Sequence, residues 1–272
     1  MTRAILLGAA SALVSVAVLA GGFTAGRPTP ALATDMAQST APAAGKQLSR
    51  KDVENIVREY LLANPELLVE VQKALDAKQK EEQRIAQLGV IKDNHDEIFA
   101  SATDGVYGNP NGTTTMVEFF DYNCHFCKGA IDDMKAVTAA DPNIRFVLKE
   151  FPILGPDSQK ASVVSMAFHK MMPDKYAEFH TQLLGGQGRA DEARAIKIAV
   201  SLGADENQLR ATMKDPDITK IFDETYDLAN KLAITGTPSY VIGTEVVFGA
   251  QGLQVLNQKL AEAKSACGSS AC

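Results

Sequence analysis

The chain has 272 residues, 46% apolar and 22% charged, with a net charge of −6 at neutral pH. That length suits one large domain, or one domain with a small accessory one, and that apolar content suits a globular body. The negative balance argues against nucleic acid as a partner.

Met1-Thr2-Arg3 places a positive charge ahead of an uncharged apolar stretch at 4–20, and Ala31-Leu32-Ala33 is a small-x-small cleavage site. Residues 1–33 therefore read as a secretory signal peptide, which implies the periplasm as the destination. An uncleaved membrane anchor is the competing reading, but the apolar stretch is slightly short for a full span. Residues 34–47 are small, polar and aperiodic, and read as a flexible linker.

Residues 48–95 read as a helical extension. Ser49-Arg50-Lys51-Asp52 resembles a capping box with Asp in place of Glu. Val53, Ile56, Val57, Tyr60 and Leu61 follow at helical spacing. Asn64 is expected as an N-cap with Pro65 at the first helical position, and Gly89 as a stop. The apolar stripe continues through Leu68, Val71 and Leu75 but breaks at Lys78 and Glu82, so a regular coiled coil is poorly supported. The extension packs on its own domain or carries oligomerisation; both readings stand.

Residues 105–112 read as a turn-rich junction. The first strand is expected at 113–120, a helix from Cys124 to about Ala140, and a second strand over Ile144–Phe151, giving a parallel pair with a right-handed crossover. Residues 157–234 read as helices at 158–172, 174–184, 190–202 and 205–233, with Gly185-Gly186 and Asp215-Pro216 as punctuation. Ser239–Ile242 and Glu245–Phe248, around Gly243-Thr244, form a hairpin signal, and a last helix spans 251–266.

There are four cysteines: Cys124, Cys127, Cys267 and Cys272. In an oxidising compartment disulfides persist, but two closely spaced pairs cannot staple a fold of this size. Cys124-His125-Phe126-Cys127 follows an apolar strand and opens a helix. A helix N-terminus offers unpaired N–H groups and a positive partial charge, and both favour the reactive thiolate. Cys124 is thus expected as an exposed, acidic nucleophile, and Cys127 as a more buried thiol that resolves the mixed disulfide. His125 would stabilise the thiolate if cationic or donating to sulfur, or else is a solvated spacer. Phe126 supplies apolar surface. CxxC pairs also bind zinc, but structural zinc needs four ligands, and the other cysteines lie far along the chain. Lys128, Asp132 and Asp133 read as a solvated face, and His95, His169 and His180 as surface or satisfied core histidines. Cys267 and Cys272 read first as a small tail disulfide, with a soft-metal pair, an auxiliary redox pair or loose tail thiols as the alternatives.

Thr235-Gly236-Thr237-Pro238 stands just before the hairpin. With Phe119-Phe120-Asp121-Tyr122-Asn123-Cys124 and Lys149-Glu150-Phe151-Pro152, it makes residues 96–266 resemble the DsbA-like branch of the thioredoxin superfamily. The resemblance implies an α/β thioredoxin fold with a large helical insertion, preceded by the helical extension. It implies a cis Pro238 beside the nucleophile, Thr237 as a substrate-docking residue, and Glu118 as a buried acid assisting proton transfer; an exposed edge carboxylate is the alternative for Glu118. The extension resembles that of ScsC-like proteins associated with copper tolerance. The expected activity is protein thiol–disulfide exchange without cofactor or metal, on cysteine-containing periplasmic proteins, with a membrane redox partner for recycling. A self-associating isomerase, with residues 48–95 as the contact, is the close alternative. A copper-binding protein without turnover is the other.

Overall fold

The computed structural model describes residues 48–267. The expected signal peptide, the linker at 34–47 and Cys272 lie outside them, and of Cys267 only the backbone is described. The described residues belong to two compact units, one ending at Tyr60 and the other beginning at Leu61.

Most of helix α1 (Arg50–Ala63) lies in the first unit. Its start is a capping box: the Ser49 N–H donates to Asp52 Oδ2 at 3.0 Å, and the Asp52 N–H donates to Ser49 Oγ at 3.3 Å. No residue of α1 is buried. Val53, Ile56, Val57 and Tyr60 keep 45–58% of their surface exposed.

In the second unit, α2 (Glu66–Asp93) starts one residue later than expected, because Pro65 precedes the helix. Gly89 does not stop α2. The helix continues because its last turns are packed: Ile91 is buried with Phe99, Leu228 and Leu232, and Gln87 Nε2 donates to the Leu232 carbonyl at 2.7 Å. A short α3 (His95–Phe99) follows.

The sheet has five strands: β1 (Gly105–Gly108), β2 (Thr114–Phe120), β3 (Ile144–Glu150), β4 (Ser239–Ile242) and β5 (Glu245–Phe248), in the order β1-β3-β2-β4-β5. β2 and β3 are parallel, joined through α4 (His125–Ala140); every other pairing is antiparallel. The stretch expected as a turn-rich junction therefore contains a strand. β1 has glycine at both ends and no apolar run, so its sequence carries no strand signal. It exists because it pairs with β3, and a side chain at Gly105 would collide with the Tyr176 ring.

After β3 come α5 (Pro156–Met171), a 3₁₀ turn (173–175), α6 (Tyr176–Gly185), α7 (Glu192–Ser201), α8 (Glu206–Thr212) and α9 (Pro216–Lys231). The helical segment expected over 205–233 is two helices, parted at its Asp215-Pro216 punctuation. The Asp215 side chain accepts from the Asp217 N–H and caps α9, with Pro216 in the first turn. α10 (Leu253–Cys267) closes the fold.

Alternation along the strands sorts the core into two layers. Met116, Phe120, Phe146, Leu148, Tyr240 and Ile242 share one buried cluster with Cys124, Cys127 and Ile131 of the α4 side. Val117, Phe119, Val147 and Val241 share the other with Ile91, Phe99 and Leu228. Glu118 has the parity of Met116 and Phe120, so the pleat turns it toward the cysteines.

Lys149 and Asp104 form an ion pair whose side chains are each 4% exposed. Burial pushes the Asp104 carboxyl up against the pull of Lys149. Lys149→Met strands that carboxylate in the core, and thermal or urea unfolding should show a loss of about 3–5 kcal/mol. A loss below about 1 kcal/mol would show that the pair contributes little.

Candidate active site

β2 ends at Phe120 and a tight turn carries the chain to Cys124. The Cys124 N–H donates to the Asp121 carbonyl at 3.0 Å, and the Asn123 N–H to Asp121 Oδ1 at 2.7 Å. Asp121 Oδ1 also accepts from Ser158 Oγ at 2.8 Å, and Oδ2 from the Leu154 N–H at 2.9 Å. This buried carboxylate therefore ties the turn to the start of α5 and the loop before it.

Cys124 is the N-cap of α4, and its sulfur accepts from the Cys127 N–H at 3.2 Å. Both cysteines are free thiols. The Thr237–Pro238 peptide is cis. The Cys124 Sγ–H can donate to the Thr237 carbonyl, 3.2 Å away. Pro238, opening the strand that pairs with β2, is buried, and its carbonyl accepts from the Gly249 N–H at 2.9 Å. The expectation of an exposed nucleophile is corrected: Cys124 is only 4% exposed, because the segment before β4 lies against its sulfur. Cys127 is fully buried.

The two sulfurs differ sharply. Hydrogen bonding from the Cys127 side chain lowers the Cys124 thiol to about 6. The Thr237 side chain and the N–H groups of Cys127 and Phe126 add to this, while burial opposes it. Burial pushes Cys127 far up, reinforced by the hydrogen bond to Cys124 and the charge of Glu118. One shared proton thus stays on Cys127, and Cys124 carries the negative charge.

Glu118 is 2% exposed, and its Oε1 has no hydrogen-bond partner. Burial, and then the negative charge of Cys124, push its carboxyl up to about 8. It is therefore protonated at neutral pH and electrostatically coupled to both sulfurs. Across the sheet it registers with Tyr240, whose hydroxyl is also pushed up by burial.

The fold brings Cys124, Cys127, Thr237, Pro238 and Glu118 together. His125 stands apart: it is exposed and sets its ring edge-on to Phe126 at 5.8 Å, while the hydrogen bonds that lower Cys124 come from elsewhere. Phe126 is 66% exposed, so apolar surface stands beside the nucleophile. Lys128, expected on a solvated face, is half-buried and donates to the Gly188 carbonyl at 2.9 Å. Asp121 and Asn123 are structural partners that motif reading passed over. The spacing Asp121-Tyr122-Asn123, an Asx turn just before a helix, was the available signal.

Behind the site, Tyr122 meets Ser165 Oγ at 2.7 Å, and Glu150 Oε1 accepts from Ser165 and, at 3.1 Å, from Tyr176. Burial raises Glu150 to about 8. His180 lies among Phe120, Tyr122 and Tyr176 with neither ring nitrogen hydrogen-bonded, so it is a core histidine but not a satisfied one. Burial lowers it to about 3 and keeps it neutral. Among the described residues no cluster of three or more His, Cys, Asp or Glu is arranged to hold a metal ion.

A dithiol that shares one proton so unequally is built to trade disulfides, since the Cys124 thiolate attacks a disulfide and the buried Cys127 sulfur then attacks Cys124 to resolve the mixed disulfide. On a mixed sheet with α4 behind the motif and a cis-proline against the sulfur, the class is thiol–disulfide oxidoreductase with a thioredoxin fold. The DSBA-like thioredoxin domain family matches residues 115–261, and the copper resistance protein ScsC N-terminal domain family matches residues 50–82. The chain belongs to the DsbA-like thioredoxin-domain family.

Among solved structures, a thioredoxin-like oxidoreductase from Silicibacter pomeroyi is 37% identical with a TM-score of 0.60, over 63% of this chain and 98% of that one. The thiol–disulfide exchange protein alpha-DsbA2 from Wolbachia pipientis is 29% identical with a TM-score of 0.61, over 67% and 97%. Proteus mirabilis ScsC in a transitional conformation is 28% identical with a TM-score of 0.60, over 79% and 97%.

Proposed function

We propose that the chain is exported to the periplasm, where it exchanges disulfides with cysteine-containing proteins through Cys124 and Cys127 and is recycled by a membrane redox partner. The observation that carries the exchange chemistry is Cys124 Sγ at the N-cap of α4, accepting from the Cys127 N–H at 3.2 Å beside the cis Thr237–Pro238 peptide, with Cys127 buried behind it. A stabilised thiolate favours the reduced form, which makes the disulfide form an oxidant.

In the oxidising direction, a substrate thiolate attacks Cys124 Sγ of the disulfide. The S–S bond breaks, and Cys127 leaves with the electron pair and takes a proton. Glu118, protonated at neutral pH, is the group that supplies it. A second substrate thiolate then attacks the substrate sulfur of the mixed disulfide and releases the Cys124 thiolate. The substrate is oxidised by two electrons and the protein reduced by two. Thr237 and Pro238 border the reacting sulfur, where an extended substrate segment docks. His125 and Phe126 face solvent beside it.

Isomerisation is the second reading, favoured by the extension. α1 buries none of its own residues, yet exposes Val53, Ile56, Val57 and Tyr60, and Leu68, Val69, Val71 and Leu75 of α2 are exposed too. Apolar surface of this kind suits self-association through residues 48–95, and an oligomer presents several reduced sites to one misfolded substrate.

Solution mass combined with repair of a scrambled disulfide protein tests both. The isomerase reading expects an oligomer that repairs, and a Val53→Asp, Val57→Asp double variant that becomes monomeric and loses most repair while still oxidising thiols. A wild-type monomer that oxidises but does not repair leaves the oxidant reading alone. A protein that exchanges no disulfides with thiol substrates sinks both.

A further inference from the structure

The residue before the nucleophile makes a connection that the exchange chemistry does not require. Asn123 Nδ2 donates to the Ala190 carbonyl at 2.8 Å, and Asn123 Oδ1 accepts from the Ala190 N–H at 2.8 Å. Its amide thus pairs with a backbone unit from both sides, as a neighbouring strand would. Nδ2 also reaches Ser158 Oγ at 3.0 Å. One turn beyond Cys124 on α4, Lys128 Nζ donates to the Gly188 carbonyl at 2.9 Å.

The connection between α6 and α7 is therefore fastened at residues 123 and 128, on either side of the CxxC motif. Its far flank is fastened as well. Arg194 Nη1 donates to the Gln187 carbonyl at 2.6 Å and to the Gly188 carbonyl at 3.3 Å. A side chain at Gly186 would run into that guanidinium, and Gly188 takes a left-handed φ of +80°. Between these ties Gln187, Gly188 and Arg189 remain exposed. A short connection held by Asn123, Lys128, Arg194 and the Arg189–Asp157 ion pair, with its middle left open to solvent, is a preorganised surface.

We propose that Asn123 is a positioning residue: it clamps the Gly186–Ala190 connection beside Cys124 as a second wall of the substrate site, complementing the wall at Thr237–Pro238. A protein substrate that has formed a bond to Cys124 extends in both directions from its own sulfur. The Thr237 side supports one arm and the clamped connection supports the other. A small disulfide has no such arms and uses neither wall fully. The inference rests on the reading that proteins are the substrates.

The test compares wild type, Asn123→Ala and Lys128→Ala as full-length mature proteins. Exchange rates are measured with a disulfide-bonded unfolded protein and with glutathione disulfide, alongside hydrogen exchange at the Ala190 amide. In Asn123→Ala the ratio of protein rate to glutathione-disulfide rate should fall about tenfold, through KM. Ala190 should exchange at least tenfold faster, with the Cys124 thiolate midpoint still near 6. Lys128→Ala, which removes a more exposed tie, should shift the ratio in the same direction by two- to threefold, and it keeps the inference testable if Asn123→Ala does not fold. A ratio unchanged in both variants, or equal losses with both substrates, overturns the inference. A wild type with no preference for the protein disulfide instead overturns the reading of the substrate.

Discussion

Cys124→Ser should lower disulfide exchange by at least about a thousandfold, because the attacking group is removed and no second thiolate stands near. Cys127→Ser should behave differently. Its Cys124 still attacks, but no buried thiol resolves the product, so covalent adducts with substrate proteins should accumulate and be visible on a non-reducing gel.

The same variants separate the causes of the low Cys124 value. Alkylation of the reduced protein should rise with pH to a plateau with a midpoint near 6. Cys127→Ala should move that midpoint upward, since the side-chain hydrogen bond that lowers it most is lost. Cys127→Ser, which keeps a donor, should move it less. Because the folded value lies below the unfolded thiol's, the thiolate stabilises the reduced form fully above about pH 9. That stabilisation shrinks as pH falls toward 6 and is absent below it. Reduced-minus-oxidised stability that stays flat from pH 5 to 9 would contradict a stabilised thiolate.

Glu118→Gln carries the second large effect. The wild-type carboxyl binds its proton up to about pH 8 in the folded chain, whereas the unfolded carboxyl releases it near 4.5. Its contribution is fully present below 4.5 and is lost as pH rises toward 8, with a slope of up to about 1.4 kcal/mol per pH unit. The glutamine variant lacks that slope, so it should gain stability relative to wild type as pH rises through this window. Denaturant midpoints at pH 5 and 8 measure the difference. Glutamine cannot hand a proton to Cys127, so the step that frees Cys127 as a thiol should slow by about a hundredfold. Parallel pH–stability curves for the two proteins would show that Glu118 ionises normally. An unchanged rate would leave the proton to come from water.

Legibility differed by element. The long apolar strand at Thr114–Phe120, the helix opened by Cys124 and the Gly243-Thr244 hairpin were readable because each carries its own periodicity and punctuation. β1 was not, since its four residues become a strand only by pairing with β3. Local propensity makes Gly89 a stop, yet packing of Ile91 overrides it. In the site, the spacing of Cys124 and Cys127 and the Gly-Thr-Pro signal name four residues that the fold places side by side. The role expected of His125 rests on adjacency in sequence, and its exposed ring, set against Phe126, fits the solvated-spacer reading.

What the sequence alone determined is the reagent: two cysteines one helical turn apart at the end of a strand. That order follows from local chain geometry and needs no distant partner. Which sulfur holds the charge was decided by the tertiary structure. The inequality comes from burial of Cys127 and from the hydrogen bonds that lower Cys124, one of them from the side chain of Thr237, 113 residues along the chain. Desolvation and long-range hydrogen bonds exist only once the chain has closed around the pair, so no reading of neighbours along the chain contains them.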